Sequence, residues 1–261
     1  MLKSVIIFPD KNGEGVCGEF FKGLLATIKY INPKPVLLPV LNTPDSKTLV
    51  PEYERAKEIA EIDKFECAPI ILTSNPGLNS ALIAGYKEAI KQYPDYAIIR
   101  MDTDEHPVGY IEKLLKEVEN NNGMVIGDLK FKVDNTLVKG SADYFVNLFL
   151  FPLLYGQYTD GRLPLTCAHG FQAFAPHICE TILNNAEKIT NQVKETFIDC
   201  EWGFDGAMAL AAHHLTNNKA IGDVRIIEVP AEKERNRVEE KVVDQLIWAI
   251  RICCASRKIM N

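Results

Sequence analysis

The side chains best suited to chemistry are Asp102 and Asp104, separated by Thr103 and placed directly after the apolar stretch 96–101. Two carboxylates two positions apart in an irregular turn can both face one hard cation. Mg²⁺ or Mn²⁺ accepts such oxygens and commonly shares them with phosphate. The same residues also have a structural use, since Asp104 could cap a helix starting near Pro107 with Glu105 in its first turn. The two uses are compatible. His213 and His214 are adjacent, so on a helix they point in different directions and do not form a two-histidine metal site. Seven cysteines occur with no CxxC spacing, which gives a structural zinc site little support; they read as small buried hydrophobes in a reducing compartment.

The acidic turn needs a scaffold, and the chain supplies one. Continuous apolar runs at 4–9, 35–40, 69–74, 96–101 and 124–131 read as strands covered on both faces. Helical patterns lie between them: Phe20, Phe21, Leu24, Leu25 and Ile28 form one stripe, and Ile111, Leu114, Leu115 and Val118 another. A helix is also expected from Pro51, after the turn-forming stretch 42–48. The β-α-β-α order predicts an α/β fold, a mostly parallel central sheet with helices on both faces. Ligands of such sheets bind outside the carboxyl ends of the strands, where Asp10, Asn42, Asn75 and Asp102 fall. Further on, 170–176 and 224–230 read as strands and 205–218 as a helix, and Val238, Val242, Leu246 and Ile250 stand at helical spacing.

Composition narrows the functions. The chain has 261 residues, 47% hydrophobic and 25% charged, which excludes a disordered chain or a small disulfide scaffold. A net charge of -6 argues against non-specific nucleic-acid binding. The run at the N-terminus is too short for a secretory signal. The apolar window 144–156 is about half of what a spanning helix needs and is interrupted by Asn147 and Pro152. It reads as a buried helix or an interfacial surface. The expectation is a cytoplasmic protein, with peripheral membrane contact left open.

The ordered motifs resemble family 2 glycosyltransferases of the GT-A fold, most of all the dolichyl- or polyprenyl-phosphate mannose synthase branch. The resemblance rests on Asn75 and Gly77 before a helix, Ala81 and Gly85 within it, Asp102 and Asp104 after a strand, and His106-Pro107 close behind. MVIGDLKF stands where that family has Val-Ile-Gly-Ser-Arg, and HGFQAF where it has Ser-Gly-Phe-Arg-Ala-Phe, so that Gln172 replaces an arginine. WGFD before a helix and IIEVP complete the series.

The resemblance implies a metal-dependent hexosyl transfer from a nucleotide-diphospho-sugar to an acceptor. The acceptor would be a polyprenyl phosphate or a small soluble molecule; a non-catalytic module that binds sugar nucleotides is the alternative. Residues 1–261 would form one domain, with a nucleotide-sugar half (1–106) and an acceptor half (107–261). Pro9, Asp10 and Asn42 would line the base pocket, with Asn75 and Gly77 beside the donor. Asp102 and Asp104 would hold Mg²⁺ or Mn²⁺ on the donor diphosphate, with Glu105 or His106 as third ligand. Lys130, Gly170 and Arg237 are further substrate-binding candidates; Arg237, with Arg235 and Lys241, could equally belong to a solvated helix face. Asp205 is the acceptor-side candidate, able to orient or deprotonate a hydroxyl, or else a helix cap.

Overall fold

Side chains along a strand alternate between the two faces of the sheet, and here both faces are covered. The computed structural model describes residues 1–10, 19–42, 46–72, 77–103, 107–130, 170–196, 203–230 and 239–260. The first half runs β1 (Ser4–Asp10), α1 (Glu19–Ile28), β2 (Val36–Asn42), α2 (Ser46–Ile62), β3 (Ile70–Leu72), α3 (Gly77–Gln92) and β4 (Ala97–Arg100). A 3-10 turn (Val108–Tyr110), α4 (Ile111–Asn121) and β5 (Met124–Lys130) follow. The rest comprises β6 (Gln172–Phe174), α5 (Ile178–Thr196), α6 (Phe204–Asn217), β7 (Val224–Pro230) and α7 (Glu239–Met260).

The strands form one sheet in the order β3-β2-β1-β4-β6-β5-β7. All neighbours are parallel except that β6 runs against both β4 and β5. That reversal brings the beginning of β6 to the edge where the other strands end, and places Gln172 opposite Arg100. Strands from both halves of the chain therefore share one sheet.

Alternation sorts the core into two layers. Val5, Ile7, Leu38, Val40, Ile98 and Phe174 face α3, α5, α6 and α7. Ile6, Phe8, Leu37, Ile99, Met101 and Ala173 face α1, α2 and α4. Each of the larger side chains, fully removed from water, contributes on the order of 1.5–3 kcal/mol before entropy is set against it. Helix α3 lies unusually close to the sheet: a Cβ on Gly85 would come within 2.7 Å of Ile7 Cγ2 and 2.9 Å of Val40 Cγ2.

One local expectation changes. Helix α2 begins at Ser46, five residues before Pro51, and carries that proline inside it. A proline this near the start removes little more than one backbone hydrogen bond, so the turn-forming residues before it can still be helical. The 3-10 turn ahead of α4 has Pro107 at its N-cap position, without a side-chain capping bond; Asp104 lies outside the described residues. Cys67, Cys179 and Cys253 are buried, as expected of small hydrophobes, and Cys254 is exposed. Burial pushes the Cys67 thiol up to about 12. The segment 144–156 lies outside the described residues, and among those described no helix is long and apolar enough to cross a membrane.

Helix α6 carries a built-in acid sensitivity. His213 has its Nε2 sealed from water with no partner among the described residues. Burial lowers its pKa to about 4, whereas an unfolded histidine titrates near 6.5. Between those values the unfolded chain binds the proton and the folded one does not, so stability is intact above pH ~6.5 and falls as pH drops toward 4. Urea unfolding at pH 7.5 and pH 4.5 is expected to differ by on the order of 1–3 kcal/mol from this group alone. The His213→Gln variant should lose that part of the difference; an unchanged difference would remove His213 as its source.

Candidate functional site

The strand edge that receives ligands in such sheets is organised around Arg100, the last residue of β4. Arg100 shares a face with Ile98, so its side chain enters the layer formed by α3 and α6 rather than solvent, and only 1% of it is exposed. A guanidinium buried this way requires anionic partners, and two carboxylates supply them. Its Nη1 donates to Asp102 Oδ2 at 3.0 Å and its Nη2 lies 2.8 Å from Asp102 Oδ1, a two-pronged contact. The same Nη2 lies 3.1 Å from Asp205 Oδ2. Burial works against the charge on Arg100, but Asp102 and Asp205 outweigh it and raise its pKa above the ordinary value. One cation thus serves two carboxylates, and the trio has a net charge of about -1 when both are ionised.

Each member is held by a different element. Asp102 follows β4 by two residues and is 26% exposed. Asp205 is the second residue of α6 and is 16% exposed. The α6 cap is Gly203, which makes no side-chain capping bond, so Asp205 is not a helix cap; its carboxylate turns to Arg100 instead. The start of α6 is pinned from two sides: Phe204 N–H donates to Asn79 Oδ1 of α3 at 3.3 Å, and Gln172 Nε2 of β6 donates to the Asp205 carbonyl at 3.2 Å. Phe204 itself packs in the core against Tyr86, ring centroids 6.2 Å apart. The Tyr86 phenol is wholly buried beneath the trio; burial first, then the Asp205 charge, pushes its pKa well above the usual phenol range.

Gly170 has a definite reason to lack a side chain. A Cβ there would stand 1.2 Å from Arg100 Nη1 and 2.2 Å from its Cζ. The glycine makes room for the guanidinium.

Among the other sequence candidates, Pro9 and Asp10 close β1, and Pro9 pairs with Val40. Asp10 is fully buried and accepts a hydrogen bond from the Tyr53 hydroxyl at 2.8 Å. Asn42 closes β2 opposite Leu72, Gly77 opens α3, and Lys130 closes β5 opposite Pro230. Asn75, Asp104, His106 and Arg237 lie outside the described residues. The trio therefore joins Asp102, Asp205 and Gly170 in one place. Sequence reasoning missed Arg100, Asn79 and Tyr86. A signal for Arg100 was present: a lone arginine in a strand apolar on both faces must find an anionic partner.

A divalent cation fits what is seen. Asp102 offers hard oxygens at a strand end, partly exposed, of the type that Mg²⁺ or Mn²⁺ accepts. No cluster of three metal-ligating side chains occurs among the described residues; the remaining ligand candidates, Asp104, Glu105 and His106, lie outside them.

No family model matches the chain. Over 127 residues it is 28% identical to a dolichol-phosphate mannosyltransferase of Pyrococcus furiosus, a match covering 48% of this chain and 33% of that relative's length. Solved structures are similar over nearly all of it. A mannosyl-3-phosphoglycerate synthase from Rubrobacter xylanophilus is 12% identical with a TM-score of 0.57, covering 98% of this chain and 74% of the other. A glucosyl-3-phosphoglycerate synthase from Mycobacterium tuberculosis, solved with Mn²⁺, uridine diphosphate and glucosyl-3-phosphoglycerate, is 11% identical with a TM-score of 0.60. That alignment covers 97% of this chain and 80% of the other. With its sheet and helices arranged as in these proteins, the chain has the GT-A fold.

Proposed function

We propose that this chain is a metal-dependent glycosyltransferase that moves a hexose from a nucleotide-diphospho-sugar to a hydroxyl of a small, phosphate-bearing acceptor. The observation that carries the reading is the Asp102–Arg100–Asp205 trio, which joins a carboxylate after β4 to one on α6. In this reading residues 1–106 bind the donor and 107–261 the acceptor. Asp102 and Asp104 hold the cation, with Glu105 or His106 as a further ligand. A bound Mg²⁺ or Mn²⁺ would offset the charge growing on the departing diphosphate. Asp205 accepts a hydrogen bond from the acceptor hydroxyl and takes up its proton as the oxygen bonds to the anomeric carbon and the carbon–diphosphate bond breaks. Such a carboxylate suits a neutral hydroxyl better than an anionic phosphate oxygen, which it repels. Support for a phosphate elsewhere on the acceptor comes from the similar solved structures, whose names contain phosphoglycerate.

The test is a thermal-shift panel of nucleoside diphosphates and their sugars, with and without Mn²⁺. Binding to the folded state alone raises the melting temperature, and a metal-dependent rise with at least one nucleoside diphosphate is expected. Transfer assays then compare 3-phosphoglycerate with dolichyl phosphate in liposomes. Transfer to the lipid alone would move the protein's work to a membrane surface; transfer to the soluble acid fits a cytoplasmic enzyme. No shift across a broad panel would refute the glycosyltransferase reading.

A further inference from the structure

We infer that Arg100 is a positioning residue that sets where Asp102 and Asp205 stand relative to each other, coupling the donor side of the site to the acceptor side. The inference rests on the glycosyltransferase reading for its catalytic meaning, though its geometry does not. Asp102 lies beyond the end of β4, where no strand pairing fixes it. Its two oxygens are instead gripped by the planar fork of Arg100, whose geometry matches a carboxylate. One nitrogen, Nη2, contacts both carboxylates, so movement of either is felt by the other.

The guanidinium is itself enclosed. It is 1% exposed, and Gly170 lies so close that no side chain fits between them. Exposed ion pairs of two flexible chains fix little; this one is buried at the cation and anchored at Asp205 by the pinned start of α6. Without Arg100 no guanidinium charge would stand between the two carboxylates to offset their repulsion. Gln172, directly opposite Arg100 in the β4–β6 register and on the same face, is a polar neighbouring-strand position from which a guanidinium could be supplied instead.

Two measurements test this. The first needs no activity: Asp102→Asn is made in the wild-type and the Arg100→Gln backgrounds and melting temperatures are compared. With Arg100 present the substitution should lower the melting temperature; without it, the drop should shrink at least twofold, because the contact that the substitution weakens is already gone. An equal drop in both backgrounds overturns the inference. The second uses transfer kinetics of Arg100→Lys, which keeps the charge and loses the fork. We expect kcat to fall by at least about tenfold with the donor KM within about threefold, the pattern of lost alignment rather than lost binding. The Arg100→Gln, Gln172→Arg exchange should recover part of the turnover that Arg100→Gln loses. A folded Arg100→Lys protein with wild-type kcat refutes the positioning role. If the wild-type chain neither binds nucleotides nor transfers sugar, the glycosyltransferase reading fails, while the melting comparison still decides what Arg100 holds.

Discussion

Replacing Gly170 with alanine is expected to destabilise the protein by about 3–5 kcal/mol, the range seen when a buried ion pair is broken. The new methyl carbon would overlap Arg100 Nη1 at 1.2 Å and Cζ at 2.2 Å. The far end of a flexible side chain usually yields cheaply. This one does not, because it is buried and bonded to two carboxylates. If the guanidinium leaves, Asp102 and Asp205 lose their cation in a confined space. If the backbone at Gly170 moves instead, it drags β6, including Gln172 and its bond to the Asp205 carbonyl. Both routes disturb the same site. Urea unfolding measures the loss, and the Arg100→Ala background explains it: with the guanidinium gone, adding Gly170→Ala should cost about 1 kcal/mol or less. An equal loss in both backgrounds would place the clash somewhere other than Arg100.

Much of this arrangement is legible in the sequence, for physical reasons. Strands buried on both faces must be continuously apolar, so 4–9, 35–40, 96–101 and 124–131 announce themselves, and the β4 turn follows as the place for chemistry. Asp102 and Asp205 emerge from acidity at element ends. What binds them together is less visible. Gly170 reaches Arg100 because β6 reverses direction, and a three-residue strand gives no sign of its orientation. Arg100 hides within an apolar run because a periodicity argument counts hydrophobic positions and passes over the exception. Gly170 reads as a ligand-facing glycine when it stands in a motif, yet its space is filled from within the protein. The start of α2 is missed because Pro51 suggests a boundary that one missing hydrogen bond does not impose.

Converting Asp205 to asparagine separates the two jobs that its carboxylate combines. The amide is close to the carboxylate in shape and keeps one oxygen that can accept from Arg100 Nη2, now 3.1 Å from Oδ2. Arg100 retains its two-pronged contact with Asp102, so no buried charge is orphaned, and the stability loss should stay near 1–2 kcal/mol. Donor binding belongs to the Asp102 side, so the Mn²⁺-dependent thermal shift with a nucleoside diphosphate should persist. Turnover should not. An amide neither takes up a proton nor draws a hydroxyl proton with a full charge, and loss of a positioned base slows such steps about 10²–10⁴-fold. Asp102→Asn is expected to behave differently, weakening the metal-dependent shift and the turnover together. The pair of variants thus divides the trio into a donor end and an acceptor end. Should Asp205→Asn keep turnover within about threefold of a competent wild-type enzyme, the nucleophile has no proton to give away. An anionic phosphate oxygen meets that condition, and the polyprenyl phosphate acceptor would then replace the hydroxyl one.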